Sequence, residues 1–205
     1  MNQRRGHCFI FSAPSGCGKS TIVKALSELD SRLVTSVSTT TRPKRSYEVE
    51  GQHYFFVSDE QFDELVANDQ FLEYATVFKH RYGTRREVVT KRLETGLDVL
   101  FDIDWQGARK IKQQETNVVS FFLIPPSLEE LNRRLTSRSQ ESSTSVDYRM
   151  SRALDELSHF DEFDYAIVND ALAATCSLIH ACIEQIRRSI RPSVPPIDSI
   201  LKKLL

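Results

Sequence analysis

Apolar residues along this chain fall into two rhythms. Five short runs are almost continuously apolar: His7–Phe11, Leu33–Val37, Val99–Ile103, Val118–Ile124 and Tyr165–Val168. Continuous rather than alternating character marks strands that are covered on both faces, as in a parallel sheet. Helical spacing separates most of them. Ser127-Leu-Glu-Glu130 reads as a capping box that opens one helix, and Thr84-Arg-Arg-Glu87 as a second. Gly96 is placed to end the latter. Asp170 is expected to cap the last long helix, whose Ala174, Leu178, Cys182 and Ile186 form an apolar stripe. Strands alternating with helices predict a doubly wound α/β fold, with a five-stranded parallel core sheet flanked by helices.

Two stretches interrupt this pattern. Residues 38–97 are long enough for an inserted subdomain, with short strands predicted at His53–Val57 and Phe71–Val77 and a helix after Ser58. The second, Arg138 to Val146, is polar and serine-rich and buries little apolar surface, so it reads as a short mobile lid, about 134–150 with its flanks. The core is then 1–37 together with 98–190. From Arg191 onward, Pro192, Pro195 and Pro196 break the last helix, and Asp198–Leu205 follows as a short amphipathic helix. Alone it is too short to be stable, so it docks on the body, docks on a partner subunit, or frays. The chain is expected to be a monomer or a homo-oligomer, the latter with the tail as a contact.

Composition narrows the function. The chain has 205 residues with 40% hydrophobic and 27% charged, which suits one soluble domain with insertions. A formal net charge of -1 lacks the basic excess of a nucleic-acid-binding surface. The longest apolar stretch, Val118 to Ile124, ends at two prolines and falls far short of the roughly 20 residues that span a bilayer. Residues 1–6 carry no apolar leader, and the expected location is the cytoplasm. The four cysteines show no metal-ligand spacing and read as reduced core thiols. Cys17 sits near a helix start, where a thiol can become reactive; a small residue at a variable loop position is the favoured reading.

The chemistry is concentrated at Ala13, Pro14, Ser15, Gly16, Cys17, Gly18, Lys19, Ser20 and Thr21. A strand precedes this segment and a helix follows, the layout of a phosphate-binding P-loop. Gly16 and Gly18 let the backbone curl so that successive N–H groups face one anion. The helix adds its positive end. Lys19 supplies a mobile charge for the outer phosphates, and Ser20 a hydroxyl for Mg²⁺. Ala13 stands where the pattern has its first glycine.

Further motifs specify a reaction. They are Ser36-Val-Ser-Thr-Thr-Thr-Arg-Pro-Lys-Arg45, Glu50-Gly-Gln-His-Tyr54, Phe71-Leu-Glu-Tyr74, Tyr82-Gly-Thr84 and Asp102-Ile-Asp-Trp-Gln-Gly107. Together with the P-loop, and in this order, they resemble guanylate kinase, a P-loop nucleoside monophosphate kinase family. The resemblance covers about Cys8 to Arg188. It implies a P-loop NTPase fold and phosphorylation of GMP, and by extension dGMP, to GDP by ATP with Mg²⁺. It also assigns the 38–97 insertion to GMP.

By this resemblance Arg42 and Arg45, with the hydroxyls of Tyr54 and Tyr82, hold the phosphate of GMP. Glu73 accepts from N1–H and N2–H₂ of guanine, while Ser38 and Thr84 donate to O6. Adenine would oppose Glu73 with a lone pair. Hydrogen-bond reading of this kind discriminates by roughly 10⁴–10⁵, so base choice is expected to rest on these groups and not on pocket size. Asp102, near a strand end, is expected to hold Mg²⁺ with Ser20, through water. Asp104 either shares that task or contacts GMP. Arg134, Arg138 and Arg149 match lid arginines, although Ser137 and Ser139 stand where glycines are frequent. Lys19, Arg42, Arg138 and Arg149 form the catalytic set, Arg134 and Asn169 belong to the ATP side, and Arg133 with Arg85-Arg86 read as solvated helix faces.

Three other readings compete. A binding module with a disabled nucleotide site would not need the intact Gly16–Ser20 loop or the lid arginines. A kinase for another phosphorylated acceptor would not need Glu73 and Tyr54. A nucleic-acid-dependent ATPase would carry further motifs and a basic balance.

Overall fold

A computed structural model describes residues 4–77, 79–137 and 143–204. In chain order the first half comprises β1 (Cys8–Ser12), α1 (Lys19–Leu29), β2 (Leu33–Thr35), β3 (Thr39–Thr40), β4 (Phe55–Phe56), α2 (Asp59–Ala67), β5 (Phe71–Val77), β6 (His80–Arg85) and α3 (Arg86–Glu94). The second half comprises β7 (Asp98–Asp102), α4 (Trp105–Gln114), β8 (Val118–Ile124), α5 (Leu128–Ser137), α6 (Ser143–Leu157), β9 (Tyr165–Val168), α7 (Leu172–Arg187) and α8 (Asp198–Leu204).

The five runs read as buried strands form one parallel sheet in the order β2-β7-β1-β8-β9. All residues of β1 are buried, and successive side chains go to opposite faces. Phe9 and Phe11 join Ile22 and Leu26 of α1 and Ile179 and Ile183 of α7. Cys8 and Ile10 join Val89 and Leu93 of α3 and Ile111 of α4. Helices on both faces explain why these strands lack a polar alternation. The parallel direction carries the C-terminal ends of β1 and β7 to the same edge, where loops can build a site.

A second, mixed sheet has the order β4-β3-β6-β5, with β3 parallel to β4 and antiparallel to β6, and β5 antiparallel to β6. Helix α2 covers it through Phe62, whose ring stacks on Phe71 at 4.6 Å between centroids. The entry to α2 is a true capping box between Ser58 and Gln61. Side chains of α4 fasten this sheet to the core: Gln114 Nε2 donates to the Leu72 carbonyl at 2.9 Å, and Lys110 Nζ to that of Tyr74 at 2.7 Å.

Several expectations are corrected. Strands β3 and β6 escape the pattern because one has two residues and the other reads His-Arg-Tyr-Gly-Thr-Arg. The strand expected at His53–Val57 shortens to Phe55–Phe56. Thr84 does not cap α3: it lies inside β6, and Arg85 holds the cap position with no side-chain bond. Ala171, not Asp170, precedes α7, again without a side-chain cap. The buried stripe of α7 runs through Thr175, Cys176, Ile179, Cys182 and Ile183, while Ala174 is exposed. Gly96 does follow α3, with φ +81° and its N–H on Leu93. Residues 143–146 of the serine-rich stretch are helical; 138–142 lie outside the described residues. The tail docks on the body: Leu204 is buried with Phe122, Ile124 and Leu157.

One ion-pair cluster binds the chain's two ends of the core together. The side chain of Arg187, 4% exposed, donates to Asp98 at 2.7 Å and to Asp30 at 2.5 Å. Burial alone would push the Asp98 carboxyl up, but hydrogen bonds from His7 and Arg187 outweigh it and hold it below its ordinary value. A carboxyl held down in this way contributes stability above the unfolded carboxylate range, and that contribution fades as pH falls through the lower folded value. Arg187→Met removes the partner and leaves buried carboxylates behind, a change that costs about 3–5 kcal/mol. Urea unfolding at neutral pH is the check, and a loss below about 1 kcal/mol would contradict the assignment.

Candidate active site

Between β1 and α1 the backbone makes two left-handed turns, at Gly16 with φ +88° and Gly18 with φ +85°. A Cβ at Gly18 would also come within 2.8 Å of the Asn169 amide nitrogen, which donates to the Cys17 carbonyl at 2.7 Å. Positive φ is confined to glycines in this loop. Ala13 is not among the non-glycine residues with positive φ, so its methyl group is tolerated where the pattern has glycine. Helix α1 starts without a side-chain cap, leaving its first N–H groups and positive end directed at the loop. The loop already holds an anion: Ser15 N–H donates to Glu156 Oε2 of α6 at 2.9 Å.

Lys19 opens α1, and its Nζ lies 3.1 Å from Asp102 Oδ1 and 2.8 Å from the Ile103 carbonyl. Asp102 ends β7, directly beside β1 in the register Phe11↔Asp102. Asp104, two residues on, caps α4 with Oδ1 accepting from Gly107 N–H at 2.8 Å. A cavity of about 320 Å³ is walled by the loop from Ala13 to Ser20 together with Asp102, Asp104 and Glu156. A second, of about 220 Å³, lies between Gly18, Thr21, Arg134 and Asn169. Arg134 reaches across it from α5, with Nη1 3.2 Å from the Asn169 carbonyl and Nε 2.7 Å from Glu130.

A third cavity, of about 330 Å³, is lined by Ser38 and Tyr54 together with Ser20 and Asp102. Ser20 and Asp102 therefore border the loop cavity and the cavity that opens towards the small sheet. A hydroxyl and a carboxylate at that border are hard oxygen donors, the donor chemistry that suits Mg²⁺.

In the small sheet, Glu73 of β5 pairs in register with Thr84 of β6. Both are buried, and Thr84 Oγ1 donates to Glu73 Oε1 at 2.7 Å. Burial pushes the Glu73 carboxyl up, while the Thr84 hydroxyl works against that shift and Asp104 adds to it. Tyr54 and Tyr82 meet edge to face at 5.9 Å, and the Arg42 guanidinium lies 5.3 Å from the Tyr54 ring. The side chain of Arg45 turns elsewhere, donating to the hydroxyl of exposed Tyr47 at 2.8 Å. Arg138 and the side chain of Arg149 lie outside the described residues.

Two acids at the site escape the sequence motifs. Glu48 receives the Arg42 guanidinium on both oxygens, at 3.1 and 2.5 Å, and that contact holds its carboxyl at about 2. Glu156 meets the loop as described above. Neither sits in a motif, and each looks like a surface charge; only the fold brings them inward. Arg85 and Arg86 are not solvated faces. Arg85 donates to Thr39 Oγ1 at 3.0 Å and lies over Phe55, while Arg86 reaches the Phe71 carbonyl at 3.2 Å and Gln114 at 2.6 Å. Arg133 does pair with Glu130 in the open.

The family model described as guanylate kinase matches residues 5–186. The guanylate kinase of Pasteurella multocida is 44% identical over 204 residues, 98% of this chain and 98% of that protein. That of Rickettsia conorii is 48% identical over 179 residues, covering 87% of this chain and 78% of its own. A crystal structure of guanylate kinase from Anaplasma phagocytophilum superposes with a TM-score of 0.71 and 36% identity, over 91% of this chain and 88% of that one.

The surroundings of Cys17 agree with the favoured reading of an unreactive thiol in the loop. Only 1% of the residue is exposed, and burial pushes its thiol up to about 12. Nucleophilic thiolate is then scarce at neutral pH. The other three cysteines are buried as well. In native protein at pH 8, a chromogenic disulfide reagent should leave all four unmodified over minutes, and all four should react in denaturant. Rapid native labelling of Cys17 would contradict this.

Proposed function

Because the chain belongs to the guanylate kinase family, we propose that it transfers the γ-phosphoryl group of ATP to GMP, each nucleotide being held by residues named here. The loop amides from Ser15 to Ser20, the end of α1 and Lys19 receive the triphosphate of ATP. Arg134 and Asn169 border the adenosine side, and Thr21 lines the same cavity. Arg42 and Arg45 take the phosphate of GMP, with Tyr54 and Tyr82. Ser38 and Glu73 read guanine, and Thr84, whose single hydroxyl proton goes to Glu73, holds that carboxylate in place. Because base and phosphate carry the recognition, dGMP is included. Arg138 and Arg149 complete the catalytic set with Lys19 and Arg42.

Mg²⁺ arriving with ATP fits Ser20 and, through water, Asp102, and would neutralise charge on the transferred group. The chain's own residues do the rest. A phosphate oxygen of GMP is already ionised, so no protein nucleophile or strong base is needed. Lys19 and the arginines position the two anions and stabilise charge that spreads over the transferring group. The stretch of about 134–150 acts as a lid that excludes water and prevents ATP hydrolysis. The protein is proposed to act in the cytoplasm; no described helix is long and apolar enough to cross a membrane.

One observation carries the choice of guanine: a carboxylate buried in the small sheet and held in place by the Thr84 hydroxyl. Burial makes its ionised form costly, and two N–H donors of guanine relieve that cost. Adenine has no such pair of donors. Glu73→Gln should lower kcat/KM for GMP by about 100-fold or more, since hydrogen bonds to a charged group are the strong ones. KM for ATP should stay within about twofold. Unchanged GMP-over-AMP selectivity in steady-state assays of that variant would refute the reading.

A further inference from the structure

Arg42 is the residue proposed to grip the acceptor phosphate, and its guanidinium is fixed from several sides. Glu48 takes Nη1 on Oε2 at 3.1 Å and Nη2 on Oε1 at 2.5 Å, a two-pronged contact. Nη1 also donates to the Pro43 carbonyl at 2.8 Å. The rings of Tyr54 and Phe56 lie 5.3 and 5.8 Å from the guanidinium carbon. Glu48 is itself buried, 5% exposed. Its Oε2 accepts a second bond, from the main-chain N–H of Arg45 at 2.7 Å, and its own N–H returns to the Arg45 carbonyl at 3.1 Å. One carboxylate thus ties the side chain of the first arginine to the backbone of the second.

We propose that Glu48 is a positioning residue for the acceptor phosphate: it fixes the guanidinium of Arg42 and the backbone at Arg45 before the nucleotide arrives. The proposal rests on the reading of Arg42 and Arg45 as the phosphate site. A guanidinium has five N–H donors in a rigid fork. Glu48 and Pro43 engage both terminal nitrogens and set its plane, leaving the remaining donors for the dianion. A free arginine loses much rotamer freedom when it binds; one that is already fixed loses little.

Charge arithmetic argues the other way, which makes the idea testable. Glu48 lies beside a site for a dianion and cancels one positive charge there. Were it only a competitor for Arg42, neutralising it would tighten GMP binding. Were it a positioner, neutralising it would loosen GMP binding in spite of the lost repulsion.

The test is calorimetric titration of GMP and guanosine into the wild type, Glu48→Gln and Glu48→Asp, with steady-state KM for both substrates. Glu48→Gln should bind GMP about 10- to 100-fold more weakly, the range for a lost charge-assisted contact, with guanosine binding and KM for ATP unchanged. Glu48→Asp keeps the charge with a shorter reach and should recover part of the loss. In an Arg42→Lys background, which lacks the fork, Glu48→Gln should cost threefold or less, roughly. Equal or tighter GMP binding by Glu48→Gln would overturn the proposal. So would an equal loss for guanosine, which a merely misfolded subdomain would produce. If the wild type bound GMP no better than guanosine, the phosphate-site reading itself would fall, and the proposal with it.

Discussion

The 3.1 Å contact between Lys19 and Asp102 lies where the loop cavity and the small-sheet cavity share a wall, and it shows how this chain manages negative charge. Phosphoryl transfer between two nucleotides requires polyanions to approach one another. Groups that bind phosphate are themselves cationic or carry exposed N–H dipoles, and crowding them together costs free energy until an anion arrives. In this structure three groups proposed to bind phosphate already face a carboxylate: Lys19 faces Asp102, Ser15 N–H faces Glu156, and Arg42 faces Glu48. On the proposed reading the acids hold these groups in place, so the site is assembled in advance and its geometry depends less on substrate binding.

Sheet topology supplies the scaffold for that arrangement. With β1 between β7 and β8, the loop after β1 and the end of β7 fall side by side. Asn169, just past the end of β9, then reaches the Cys17 carbonyl and stiffens the loop from the far side. The small sheet is fastened to α4, whose N-terminal cap is Asp104. Glu73, proposed to read the base, and the phosphate loop are thereby connected through one helix, which gives the two proposed substrate sites a common support.

Most of the core is legible in the amino-acid sequence, because strands buried on both faces are continuously apolar and each of the five runs matches a strand to within a few residues. The small sheet is less so. A two-residue strand such as β3 has no period to detect, and the polar β6 owes its place to pairing with β5. Thr84 looks like a cap because its sequence neighbours fit that motif; in three dimensions its hydroxyl serves Glu73 instead. Local signals identify the phosphate loop well, since glycine conformations and a helix start are local properties. Glu48 and Glu156 stay hidden for the opposite reason. Their significance comes from what the fold places opposite them, an arginine six residues away in one case and a loop amide 141 residues away in the other.

An acid in the small sheet, Glu73, is proposed to identify the acceptor by the donors on its purine edge. The most direct measurement is the rate of ADP formation from ATP and Mg²⁺ with GMP, AMP, CMP or UMP as the sole acceptor. GMP should be phosphorylated with kcat/KM roughly 10⁴-fold or more above that for AMP, the discrimination that hydrogen-bond readout provides. Comparable turnover of AMP and GMP would contradict the claim.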